Sequence, residues 1–248
     1  MSDLDLVGAV VAGVAAGGLS LVVPALIARI PEPEPEPEAG DEATEVAEPV
    51  GPEVKDLYTD IAALPGLAWK SALAGLVAGA AMGAVVGLEW PLLYLVPLVP
   101  ISVALAVVDW RTRLLPTKVI APTYLGLIAA VLLVTAVTQD VDDLKRAGFG
   151  WLIAGGLYVL LWLVYPRGMG YGDVRLSGVL GIALGHLGWS ELVVGIYGGF
   201  LLGGVLGGIL SALSRVDRKG YPFGPFMLLG ALVGLLWGDT LGDWYTNF

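Results

Sequence analysis

The sequence predicts an all-α fold, a polytopic integral membrane bundle of about eight transmembrane helices, and three observations carry that reading. Hydrophobic residues make up 56% of the 248 residues and charged residues only 15%. Mean hydropathy is +0.80, far on the apolar side for a water-exposed chain. Apolar runs near 20 residues, long enough to cross a hydrocarbon layer of roughly 30 Å, recur from end to end.

The runs cover residues 6–28, 67–88, 90–108, 118–138, 147–165, 174–189, 191–213 and 222–241. The first follows Asp3 and Asp5, with no basic leading region and no small-residue cleavage pattern, so residues 1–30 are expected to be a retained transmembrane helix. Residues 31–66 differ in kind. A Pro-Glu repeat from Pro31 to Glu38 opens a stretch in which positions 31–60 hold eleven acids and one base, Lys55. That stretch carries the whole net charge of −10. It is too charged to bury a core, and a disordered, solvated linker is expected on the cytoplasmic side. Acids and bases balance over the rest of the chain, so no basic surface for nucleic acid is expected.

Residues 67–248 form the expected membrane-embedded core. Gly75, Gly79, Gly83 and Gly87, then Gly195, Gly199, Gly203 and Gly207, recur at four-residue spacing. Each set lies along one helix face and predicts a seam of close helix packing, within the molecule rather than between copies. The sixth run is the shortest: sixteen residues at 1.5 Å rise reach about 24 Å. With the amino terminus outside, eleven of the thirteen Lys and Arg residues fall on the inner side and only Lys145 and Arg146 on the outer. That asymmetry sets the expected orientation. Trp90, Tyr165, Trp189 and Trp244, near run ends, read as interfacial anchors.

The chain has no cysteine and one histidine, His186. Disulfides, thiolate zinc sites, cysteine nucleophiles, histidine metal clusters and ordinary serine triads are thereby excluded. His186 reads as structural, and Glu89 and Glu191 fall on the outer side. No metal and no cofactor are expected, and carboxylates remain as the reactive groups.

Two of them stand out. Asp109 ends the third run in Val108-Asp109-Trp110-Arg111-Thr112-Arg113-Leu114-Leu115-Pro116, and Asp173 precedes the sixth in Gly168-Met169-Gly170-Tyr171-Gly172-Asp173-Val174-Arg175. Two crossings separate them, so both lie on one membrane face. Pro166 and the glycines 168, 170 and 172 predict a break that presents Asp173 to water. Two close carboxylates do not both ionise readily, so one can hold a proton while the other activates water. The plainer alternative pairs Asp109 with Arg111 or Arg113, and leaves Asp173 as a helix cap paired with Arg175.

Gly170-Tyr171-Gly172-Asp173 matches the GxGD signature of membrane aspartic peptidases. Residues 168–176 closely resemble the second catalytic segment of type IV prepilin peptidases. Asp109 with Arg111, Arg113, Leu115 and Pro116 resembles their first, and Pro222-Phe223-Gly224-Pro225-Phe226 their carboxyl-terminal signature. The three segments stand in family order over about residues 67–240. The resemblance implies an endopeptidase of the bacterial cytoplasmic membrane that removes the short basic leader from prepilin or pseudopilin precursors at the cytoplasmic face, in pilus assembly or protein secretion. It implies cleavage just after a glycine and ahead of the substrate's hydrophobic helix. Asp109 and Asp173 would be the catalytic pair, with Gly168, Gly170, Gly172, Arg175, Pro116, Pro222, Gly224 and Pro225 as supporting motif residues. Many family members carry a four-cysteine zinc module in the first cytoplasmic loop, and their bifunctional forms methylate the new amino terminus. Here that loop is the acidic, cysteine-free segment, so peptidase activity is expected and N-methyltransferase activity is not. The alternatives are a GxGD protease acting on other membrane helices and a proton-coupled transporter; a transporter would place its acids near mid-membrane in repeated halves.

Overall fold

The computed structural model describes residues 4–32, 56–164, 166, 169–212 and 222–247. Among these the chain is helical without strands: α1 (Leu6–Ser20), α2 (Val23–Ala28), α3 (Tyr58–Ala62), α4 (Leu67–Val86), α5 (Leu92–Thr112), α6 (Thr117–Thr138), α7 (Val141–Val164), α8 (Tyr171–Leu187), α9 (Trp189–Ala212) and α10 (Gly224–Thr246). Five of them, α4, α5, α6, α7 and α10, are long and apolar enough to cross a membrane, and α1 and α9 contribute shorter apolar stretches. The chain is a multi-pass membrane helical bundle.

Three antiparallel pairs build it, each closed by small residues. Gly75, Gly79 and Gly83 of α4 lie against Gly8, Ala12, Ala16 and Ser20 of α1, so closely that a methyl group on Gly83 would overlap the Gly8 carbonyl. Gly150 of α7 meets Gly181 and Gly185 of α8, and Gly195 and Gly199 of α9 meet Gly230 and Gly234 of α10. Without large side chains the backbones approach, and dispersion replaces the hydrophobic drive that lipid does not supply. The seams predicted at Gly75, Gly79 and Gly83 and at Gly195 and Gly199 thus pack within the molecule, whereas Gly87 ends α4 in a left-handed turn against Asp5 and the packing of Gly207 lies outside the described residues.

Helix α5 packs on two of these pairs, touching α1, α4 and α10, and also meets α2, α3 and α6. Helix α8 is enclosed by α6, α7, α9 and α10, and every residue from Ser177 to His186 except Leu180 is buried. That enclosure explains its short, Gly-rich sequence: 17 residues span about 26 Å, and small side chains let four neighbours close around it. At one end of the bundle the Tyr94 hydroxyl of α5 lies 3.1 Å from His186 Nδ1 of α8, with the rings edge to face at 5.4 Å. The helices run antiparallel, so the other end holds Asp109 of α5 and Asp173 of α8.

Several boundaries differ from expectation for local reasons. The first run divides at Leu21–Val22, because Pro24 has no N–H to offer the Ser20 carbonyl. Helix α5 continues through Thr112 and ends where Arg113 turns left-handed (φ 56°), ahead of Leu115-Pro116. The fifth run starts earlier than expected, at Val141, because the Asp140 carboxylate accepts from the N–H groups of Asp142 and Asp143 and caps the charged first turn.

The acidic segment is packed at both described ends, while positions 33–55 lie outside the described residues. The Glu32 carboxylate accepts from the N–H groups of Tyr58 (3.0 Å) and Thr59 (3.1 Å), capping α3 from across the segment. Tyr58 and Ile61 then join Val23, Ile27, Leu67, Ala104 and Val108 in a small core beside the Asp109 end of α5.

Candidate functional site

Asp109 lies within the last turn of α5 and is only 4% exposed, although a carboxylate at a helix end would normally turn to solvent. Its Oδ2 accepts a 2.9 Å hydrogen bond from the N–H of Gly224, the first residue of α10. Pro225 follows in the first turn, where its missing N–H costs nothing, so the open end of α10 points its partial positive charge at the carboxylate. A side chain there would displace the carboxylate. A Cβ on Gly224 would stand 2.8 Å from Asp109 Oδ2 and 3.3 Å from Leu115 Cδ2. The Pro222–Phe226 segment is therefore both a helix start and the direct partner of Asp109.

Asp173 is the third residue of α8 and is 7% exposed. Its Oδ2 accepts from the Gly170 N–H at 3.1 Å, while its own N–H bonds back to the Gly170 carbonyl at 3.0 Å, a reciprocal cap. The expectation of a glycine break that presents Asp173 to water is corrected on two counts. The helix already begins at Tyr171, and Asp173 is buried inside it. Nor do the glycines supply unusual backbone angles: Gly170 has φ −68°, and among the described residues only Gly66 and Gly87 are left-handed glycines. Gly172 serves close approach instead, since a Cβ there would come 2.6 Å from Leu115 Cβ. Gly168 lies outside the described residues.

Leu115 touches both the glycine that precedes Asp173 and the glycine that binds Asp109. The carboxylates are near enough for their charges to interact. Among the described residues neither acid has a basic partner. Arg111 pairs with Asp56 at 3.1 Å. Arg175 lays its guanidinium over the Tyr171 ring at 4.5 Å and hydrogen-bonds the Thr117 hydroxyl, while its carbonyl accepts from Tyr124 at 2.9 Å. Arg175 therefore fastens α8 to α6 and does not touch the carboxylates. Pro116, extended at the start of α6, ends the connection that carries Leu115.

One neighbour was invisible to sequence reasoning. Tyr158 of α7 is buried, lies within electrostatic reach of Asp173, and packs on Phe200 (5.0 Å) and Phe223 (6.2 Å). These aromatics wall the site on the α7, α9 and α10 side. The only available signal was a phenol in the middle of an otherwise apolar run.

Two buried carboxylates at one end of α5 and α8, each held by a backbone N–H at a helix start and free of a basic counter-ion among the described residues, have the means to share a proton once brought together. Residues 96–212 match the type IV leader peptidase family. The chain is also similar to curated proteins named prepilin leader peptidase/N-methyltransferase. The Aeromonas hydrophila protein is 33% identical over 162 residues, covering 64% of this chain and 54% of that protein. The Pseudomonas aeruginosa protein is 35% identical over 169 residues, covering 67% and 53%. The Legionella pneumophila protein is 29% identical over 167 residues, covering 65% and 56%. The chain spans about half the length of the curated relatives it matches. No solved structure matches. The region that matches the type IV leader peptidase family, residues 96–212, holds both Asp109 and Asp173.

Proposed function

We propose that the protein is a membrane aspartic endopeptidase that removes the leader from type IV prepilin-like precursors, with Asp109 and Asp173 as its catalytic pair. The observation that carries this reading is the convergence of the two acids at one end of α5 and α8, buried together inside the matched family region. In the reaction the ionised carboxylate takes a proton from water, and the water attacks the scissile carbonyl. The protonated partner hydrogen-bonds the developing oxyanion, and a proton then passes to the leaving amine. The Gly224 and Gly170 N–H groups hold the carboxylates in place and steady whichever is ionised. Because Leu115 and the buried state of both acids close the site, the substrate enters by displacing the 113–116 connection.

The distribution of Lys and Arg supports a cytoplasmic location for this end of the bundle. Methylation of the new amino terminus is not part of the proposal. The test is leader removal from a candidate prepilin by the purified protein. Asp109→Asn and Asp173→Asn, which keep shape and remove the ionisable group, are each expected to lower the rate by about a thousandfold or more. Cleavage at the wild-type rate by either variant sinks the pair. Mass analysis of the product in the presence of S-adenosylmethionine addresses methylation, where a gain of one methyl group would overturn the expectation.

A further inference from the structure

A groove of about 400 Å³ runs beside α5, between α2 and α6. Its floor is α5 (Pro97, Ile101) and its walls are α2 with the residues just after it and α6 (Gly126, Leu127). The volume falls in the range of roughly 300–1,000 Å³ usual for small-molecule sites. Along most of its length the lining is apolar. At the end nearer Asp109 it is not: Arg29 and Lys118 both line the mouth, and among the described residues neither forms an ion pair.

We infer that this groove is an anionic-phospholipid site, with an acyl chain lying between α2 and α6 and the phosphate of the headgroup held by Arg29 and Lys118. Three observations select that occupant. An apolar trough on a membrane-spanning bundle does not stay empty, since lipid chains supply the contacts that a void would forfeit. The two cations stand at the end of the spans, the level of the headgroups, where each basic residue attracts anionic lipid. A basic leader or the flank of a cationic helix is repelled by the same pair. A second groove, about 480 Å³ between α6 and α7, is lined by Tyr124, Leu144, Gly148, Trp151 and other uncharged residues. It has the apolar trough without the charge and serves as an internal control.

The inference does not depend on the peptidase reading, and its test has no catalytic readout. The full chain is delipidated in detergent and offered equal amounts of phosphatidylglycerol and phosphatidylcholine, and retained lipid is counted by native mass spectrometry. The wild type is expected to keep one phosphatidylglycerol in preference. Arg29→Gln with Lys118→Gln is expected to lower that preference by about tenfold or more, while Arg29→Lys with Lys118→Arg, which keeps the charge, preserves it. A Cβ at Gly126 meets nothing within 4 Å, and the same is true of Gly148, so a larger side chain can start into either groove from an open position. Gly126→Leu is expected to expel the retained lipid and Gly148→Leu to leave it. Equal retention of the two lipids by the wild type overturns the inference. So does an undiminished preference in the charge-removed variant, or retention by Gly126→Leu equal to that by Gly148→Leu.

Discussion

The N–H of Gly224 donates a 2.9 Å hydrogen bond to Asp109, across 115 positions of sequence, in a space where a Cβ would crowd the carboxylate. Gly224→Ala places a methyl group 2.8 Å from the carboxylate oxygen, so the acid must swing away while the helices around it remain. A displacement of about 1 Å at a reacting group costs roughly a hundredfold in rate. Leader cleavage is therefore expected to fall on that scale, with little change in the thermal inactivation midpoint. Gly230→Ala is the contrast. Its methyl group meets the Gly199 backbone in the α9–α10 seam and neither acid, and overpacking of that kind costs about 1–3 kcal/mol. It should lower the midpoint and spare the turnover of the protein that stays folded. Equal effects of the two variants on turnover would count against a positioning role for Gly224.

The pair of acids also sets the expected pH dependence. In the proposed mechanism one proton is shared between the Asp109 and Asp173 carboxylates. Below the first apparent ionisation both are neutral and no base remains to activate water; above the second both are charged and no donor remains for the oxyanion. Cleavage rate plotted against pH should rise and then fall, with slopes near one on each limb. A rate that stays on its plateau through the alkaline limb rules out the shared proton.

Tyr158 offers a finer test. Tyr158→Phe keeps the ring against Phe200 and Phe223 and removes only the hydroxyl within electrostatic reach of Asp173. The expected result is a fall of about tenfold in turnover, an unchanged inactivation midpoint and a displaced acid or alkaline limb in the pH profile. If the hydroxyl is merely buried, turnover and both limbs stay where they are. Tyr158→Ala, by comparison, empties a large buried volume and is expected to destabilise by about 3–5 kcal/mol.

Much of this was legible in advance because bilayer thickness imposes it. Apolar run length located the spans, four-residue glycine spacing located the seams of α4 and α9 but not that of α7 with α8, and counting crossings put Asp109 and Asp173 at one end. What could not be read was contact. Nothing local to Gly224 says that its N–H meets a carboxylate 115 positions earlier, nor that Gly172 presses on Leu115 rather than bending the chain. The site of Asp173 was misjudged because glycine after glycine signals a loop in isolation. Packing against the 113–116 connection draws the helix start back to Tyr171. Tyr158 was hidden because a buried tyrosine and an interfacial one look alike in sequence.

The ends of the acidic segment carry a prediction that separates a cap from an ion pair. Glu32 accepts two N–H groups at the start of α3, whereas Asp56 meets Arg111 with both side chains nearly half exposed. A lost cap costs about 1 kcal/mol, and an exposed pair typically less than that. Glu32→Ala is thus expected to raise amide exchange at Tyr58–Ala62 several-fold, and Asp56→Asn to leave it nearly unchanged. Exchange that rises only for Asp56→Asn would reassign what holds α3 in place.

Arg146, one of the two basic residues that sequence analysis assigned to the outer side, has a structural reason to be there. Its guanidinium donates to the carbonyls of Gly185 (3.3 Å), His186 (3.2 Å) and Leu187 (3.2 Å), the unsatisfied acceptors at the end of α8, and it also pairs with Asp143. A positive charge at a helix carboxyl terminus is favoured by the dipole, and the planar fork reaches several oxygens at once where an ammonium does not. Arg146→Lys keeps the charge and loses the fork, so a loss of about 1–3 kcal/mol is expected, seen as a lower inactivation midpoint at fixed scan rate. Since α8 also carries Asp173 at its other end, turnover at low temperature should stay close to wild type if the helix is pinned independently at Gly170 and Gly172. A large loss of turnover without loss of stability would show instead that the two ends of α8 are coupled through its length.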